Sequence, residues 1–204
     1  MTNSDPSADR PGLLARVVGV GAVVGAILWP IALSDMAVRA ISVTQEGGQR
    51  LAGSPIVPLA IALLLFSAAI AALERGATRE IRFRDLVGDL TIATSAVVFA
   101  LAAVVGSYGL LGPGFLLLFV GSVIFGAAGF DGKRRPRWGS ALVGIGAGGL
   151  LASLLVAAAF GTDRLDGIAQ TALLSLVLYT VGWFWLGLHL ALARPLITPP
   201  GEPS

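Results

Sequence analysis

The chain has 204 residues, of which 55% are hydrophobic and 13% charged, with a net charge of +2 and no cysteine; its mean hydropathy is +0.85. Soluble domains carry about 25% charge, so these figures exclude a water-soluble enzyme, a disordered chain and a coiled coil. They leave a polytopic membrane protein, because only lipid accepts so much apolar surface. Without cysteine there are no disulfides, thiolate metal sites or cysteine nucleophile. The basic residues stand in short stretches between apolar runs, so no nucleic-acid partner is expected.

An ionised side chain is costly in hydrocarbon, so charge-free runs mark the spans. The first run is 17–34, between Arg16 and Asp35, and the second is 51–73, between Arg50 and Glu74. The third covers residues 90–130, which is 41 residues. At ~1.5 Å per residue that is about 60 Å, twice a ~30 Å hydrocarbon core, so it must fold back. Ser107-Tyr108-Gly109-Leu110-Leu111-Gly112-Pro113-Gly114 supplies the break, since Gly and Pro interrupt helices.

Six spans follow, at about 13–34, 51–73, 86–107, 111–130, 138–162 and 167–193. The first reads as a retained span and not a cleaved leader. Its apolar stretch is longer than a usual signal core, and Trp29-Pro30 is a poor cleavage context. Pro30 falls near its outer end, where a local break is tolerable. Met36, Val38, Ile41 and Val43 can extend this helix along the membrane surface, before a turn at Glu46-Gly47-Gly48-Gln49. Residues 1–12 and 195–204 are polar, Pro-rich tails and are expected to be disordered.

Thirteen Arg and one Lys set the orientation. With the N-terminus inside, eleven of the fourteen lie on the cytoplasmic side and only Arg39, Arg50 and Arg164 outside. The positive-inside rule then places both termini in the cytoplasm. The expectation is an all-α fold: one six-helix transmembrane domain over 13–194, in the cytoplasmic membrane of a prokaryote.

Small residues one turn apart are the densest pattern. Gly21 and Gly25 lie on the first span, Ser122 and Gly126 on the fourth, Gly144 and Gly148 on the fifth. Such spacing lets helix backbones approach closely in lipid. These faces serve either a partner subunit or packing within the chain; internal packing is favoured for the fifth span, and the first is open. Gly144-Ile145-Gly146-Ala147-Gly148-Gly149 fits a dinucleotide motif by letter, but that motif needs a strand and an exposed helix N-terminus. No cofactor is expected.

Asp89, one turn after Asp85 at the mouth of the third span, is the one acid near hydrocarbon. It is a candidate for cation binding or proton relay; the plainer reading pairs it with a nearby Arg at the interface. His189 is the only histidine. Near the inner end of the sixth span it reads as a polar anchor rather than a ligand or base. With no second His or Cys, no metal site is expected. A Ser122–His189 nucleophile–base pair has suitable residue types, but no oxyanion donors or orienting acid accompany it. Tyr179, Trp183, Phe184 and Trp185 cluster on the sixth span. Trp183 and Trp185 are set deeper than an interfacial belt, so they face a partner or lipid. Trp138 reads as a belt anchor. The two basic inner segments, 74–85 and 131–137, each carry four cations. Each is expected either to attract membrane lipid, at about 1 kcal/mol per basic residue near an anionic surface, or only to fix topology.

The order of features over residues 13–167 resembles the small membrane subunit of tripartite tricarboxylate transporters. A first span leads to an outer loop and to Ala52-Gly53-Ser54-Pro55-Ile56-Val57-Pro58. A Leu-rich span, a basic loop and a hairpin on Gly109-Leu110-Leu111-Gly112-Pro113-Gly114-Phe115 follow. Next come a Phe/Leu-rich span ending at Gly132-Lys133-Arg134-Arg135 and a further span closing at Phe160. The family stops near Gly167, and the apolar segment 167–193 departs from it. The resemblance implies a non-catalytic accessory role beside a large polytopic transporter subunit that holds the substrate sites, with an extracytoplasmic binding protein delivering carboxylates. The alternatives are a stand-alone or self-associating six-span envelope protein, and a small channel or carrier using Asp89.

Overall fold

The computed structural model describes residues 10–46, 56–75, 83–106, 108–129, 136–160 and 165–192. They form six helices: α1 (Arg10–Glu46), α2 (Ile56–Arg75), α3 (Phe83–Val105), α4 (Leu111–Gly129), α5 (Arg137–Phe160) and α6 (Leu165–Leu192). Each is long and apolar enough to cross a membrane. The boundaries follow from local chemistry. Val105 ends α3 because Gly106 adopts a left-handed φ of 68°, the conformation that closes a helix and that glycine takes without penalty. A 3₁₀ turn, Tyr108–Leu110, then leads into α4.

Gly112, Pro113 and Gly114, which mark the break and fall inside the expected fourth span, lie in the first turn of α4. A proline is tolerated there because first-turn N–H groups have no intrahelical acceptor. Pro58 occupies the same place in α2. Pro136 precedes α5, and its carbonyl accepts the Ser140 N–H at 3.0 Å.

Helix α1 is 37 residues long and runs unbroken through Pro30, about 55 Å in all. Pro30 stands near the outer end of the membrane-spanning part, and the helix continues past it. Its apolar portion spans Leu13–Met36, and the extension to Glu46 accords with the amphipathic stretch after Ser34. The expected start of the second span at 51 and the tails at 1–9 and 195–204 lie outside the described residues; residues 10–12, expected as part of the first tail, instead open α1.

Every consecutive pair of helices packs together, and α6 packs on α1 to close a ring. Neighbours are antiparallel, with a register set by glycines. Between α5 and α6, Gly139 meets Leu186, Gly182 meets Val143, Gly146 meets Tyr179 and Gly149 meets Ser175. A Cβ on Gly182 would lie 2.6 Å from the Val143 amide nitrogen. Between α1 and α6, Gly19 and Gly187 face each other's backbones, and a Cβ on Gly187 would lie 2.8 Å from the Val23 nitrogen. Between α4 and α5, Gly126 abuts Gly144; between α3 and α4, Gly121 sits 3.0 Å, measured from a Cβ position, from the Ile92 nitrogen. Close approach substitutes dispersion for the hydrophobic drive that lipid removes.

A side chain at Gly126 has nowhere to go but into Gly144. Gly126→Leu is therefore expected to separate α4 from α5 and lower stability by about 3 kcal/mol. Gly148→Ala, whose Cβ would meet only Val123 Cγ2 at 3.8 Å, is expected to be near neutral. Unfolding of the two variants in mixed micelles by titration with a denaturing detergent separates these outcomes.

Candidate functional site

The interior of the ring is occupied by aromatic rings from five of the six helices. Trp29 of α1, Phe66 of α2, Phe99 of α3, Phe125 of α4, and Tyr179 and Trp183 of α6 are fully buried. Phe66 stacks on Trp183 with centroids 4.4 Å apart and planes within 6°. Phe125 stacks on the same indole at 5.5 Å. Trp29 touches Phe66 at 6.5 Å, Phe115 at 6.2 Å and Tyr179 at 5.9 Å. Phe119 stands edge-on to Tyr179 at 6.3 Å, and Phe115 bridges to Phe99 at 4.9 Å. The result is one continuous network across the bundle. Offset-stacked and edge-to-face pairs are the favourable arrangements for such quadrupoles. No ring of this network comes from α5; its Gly146 and Ala147 instead let the α6 backbone come close enough to carry Tyr179 and Trp183 inward.

One polar pair lies inside this network. Ser122 Oγ and the Tyr179 hydroxyl are 3.2 Å apart and share a hydrogen bond, both residues buried. The indole Nε1 atoms of Trp29 and Trp183 have no hydrogen-bond partner among the described residues. Most other hydroxyls return to their own helix. Ser67 donates to the Leu63 carbonyl at 2.9 Å, Thr91 to Val87 at 2.7 Å, Ser95 to Ile92 at 2.7 Å and Ser153 to Gly149 at 2.8 Å. Back-bonding of this kind neutralises the hydroxyl without offering it to a ligand.

The structure distributes the sequence-derived candidates as follows. Asp89 is half-buried six residues into α3, about 9 Å along the axis from the helix start. Asp85 is buried one turn before it, and both engage neighbouring groups. His189 is exposed in the last turn of α6. Ser122 and His189 do not meet: the Ser122 partner is Tyr179, ten residues and about 15 Å of helix from His189.

Among the small-residue faces, Gly25 packs on Phe66 and Ala62, and Gly126 on Gly144, all within the chain. Gly21 meets Leu65 at 3.1 Å, measured from a Cβ position. Gly148 remains half-covered. Trp183, expected to face a partner or lipid, is instead buried at the ring centre, whereas Trp185 two residues on is half exposed. Among the described residues no three His, Cys, Asp or Glu side chains gather in a metal-binding group.

Sequence reasoning did not foresee Trp29, Phe66, Phe99 and Phe115 as members of one cluster. Their only sequence signal is that each sits within an apolar span. The chain matches no protein-family model, and neither a curated protein nor a solved structure shows similarity to it.

Removing the central indole should be the most damaging truncation. Trp183→Ala is expected to cost about 3–5 kcal/mol through the cavity it leaves. Tyr179→Phe and Ser122→Ala should each cost only about 0.6 kcal/mol, the usual size of a hydrogen bond between membrane helices. Because they break the same bond, the double variant should be no worse than the costlier single one, apart from cavity effects. A double-mutant cycle read by detergent-induced unfolding measures all three.

Proposed function

We propose that this chain is a non-catalytic accessory membrane subunit that packs against and stabilises a larger transporter subunit. The observation that carries the reading is the filled interior. Eight aromatic side chains close the centre of the ring, and the buried hydroxyls of Ser95, Ser122 and Tyr179 are bonded to the backbone or to one another. Solitary transporters rely on broken helices and ionisable groups near the bilayer midplane. Here the acids Asp85 and Asp89 stand near one end of α3 instead. Any solute movement therefore belongs to a partner.

The likeness to the small subunit of tripartite tricarboxylate transporters points to carboxylates as the cargo and to an extracytoplasmic binding protein as a further component. The Arg and Lys distribution supports a cytoplasmic location for both termini, and the membrane proposed is the inner membrane of a prokaryote. An apolar surface for the large subunit is available where α5 and α6 lose the cover of the other helices. Leu154, Leu155, Leu173 and Leu174 are all exposed there, at the end of the bundle opposite the termini.

One observation favours a second reading, a stand-alone or self-associating protein: α6 closes the ring on α1, so the bundle is self-contained. The two readings part on purification. The affinity-tagged chain, extracted in mild detergent from its own membranes, is expected to bring down a larger polytopic protein in constant ratio. Recovery as a monodisperse single species, or crosslinking that yields only copies of itself, would reject the accessory role.

A further inference from the structure

Pro30 has no N–H, so the Ala26 carbonyl, one turn before it in α1, loses the donor that a helix normally supplies. The turn belongs to the apolar portion Leu13–Met36, where no lipid group can donate. In such surroundings a neighbouring helix, a Ser or Thr side chain or an ordered water restores the missing bond. Ser34 does not supply it: its hydroxyl donates to the Pro30 carbonyl, at 2.8 Å.

The register of the α1–α6 seam fixes what faces the gap. A Cβ on Gly187 would lie 2.9 Å from the Gly19 carbonyl oxygen. Ala26 stands two turns after Gly19, and Thr180 two turns before Gly187. The helices are antiparallel, so Thr180 is placed against the Ala26 carbonyl as Gly187 is against that of Gly19. The rings of Trp29 and Tyr179, 5.9 Å apart, independently bring the two helices together at this level. Thr180 Oγ1 is buried and has no hydrogen-bond partner among the described residues. It does not bond back to its own helix, as Ser67, Thr91, Ser153 and Thr171 do. Trp29 Nε1, beside the proline, is likewise buried and unpartnered. One short stretch of seam thus holds an acceptor stripped of its donor and two donors without acceptors.

We propose that a water molecule is bound in this proline gap, donating to the Ala26 carbonyl and accepting from the Thr180 hydroxyl. Chemistry selects the occupant. Water both donates and accepts, so it serves groups of both kinds, and it needs no charged residue to hold it. A direct bond from Thr180 would also serve the carbonyl, but the Thr180 hydroxyl makes none. Water is what spans polar groups set too far apart to bond each other. Ala22 and Ala26 are fully buried on this face, so the site is enclosed by the seam itself.

The test uses the full chain in phosphatidylcholine bilayers. Solid-state NMR that transfers magnetisation from water protons is expected to light the Ala26 carbonyl and the Thr180 side chain early, while Ala22, one turn deeper in the same seam, stays dark. Pro30→Ala, which returns an N–H to the Ala26 carbonyl, should abolish that transfer. Thr180→Val keeps the side-chain shape and removes the hydroxyl. In the wild-type background it should raise the unfolding equilibrium constant about threefold, the usual weight of a hydrogen bond between membrane helices. In the Pro30→Ala background it should change nothing, because the gap it serves is gone. The proposal fails if Ala26 and Thr180 receive no early magnetisation from water, if that transfer survives Pro30→Ala, or if Thr180→Val has the same effect in both backgrounds.

Discussion

Two helices in hydrocarbon gain nothing by hiding apolar surface from each other, since lipid is as apolar as leucine. Whatever holds this ring together must come from contact that lipid chains make less well. The structure meets that constraint in two complementary ways. At the seams, glycine lets backbones touch: Gly19 with Gly187, Gly126 with Gly144, Gly182 with Val143. At the centre, where six helices arranged in a ring leave a wide space, large rigid rings fill it. Each device needs the other. Without the glycine seams the rings would not reach one another, and without the rings the seams would enclose a void.

This division of labour explains why α5 and α6 differ so much in composition. Small residues such as Gly139, Gly146 and Gly149 give α5 a wall, against which the α6 backbone lies nearly flush. From α6, Tyr179 and Trp183 then project inward, to Phe119 on one side and to Phe66 and Phe125 on the other. The Ser122–Tyr179 hydrogen bond ties α4 to α6 across this interior without passing through α5. It fixes which way the phenol points, and so the orientation of the ring that Trp29 packs on.

Charge punctuation made the spans legible. Arg16, Asp35, Glu74 and Arg137 bracket apolar runs, and ionised groups do not cross hydrocarbon cheaply. The hairpin between α3 and α4 was equally readable, because 41 charge-free residues cannot form one span. Finer features were not. Helices that are apolar all round give no periodic signal for an inner face. Trp183 and Trp185 therefore look alike in sequence, although one is fully buried and the other half exposed. Which glycine meets which backbone depends on helix order around the ring, and that is a tertiary property. Gly106 escaped notice for a different reason: it is one glycine among 27, and only its positive φ marks it as the helix terminator.

The segment 167–193 looked from sequence like an addition to a five-span plan. In the folded chain it behaves as a keystone. Deleting α6 would remove Tyr179 and Trp183 from the core, strip Trp29 of its contact with Tyr179 and Phe66 of its stack on Trp183, and bare the glycine face of α5. A five-helix protein of this composition would need either different aromatic positions or another chain's helix in the same place. The sixth helix thus supplies from within the chain the rings that fill the centre of the bundle. What faces outward is apolar on every helix, and the ends of α5 and α6 away from the termini are exposed on most sides. A bundle whose centre is closed by packing meets its surroundings at its periphery, and there the apolar faces of all six helices turn outward.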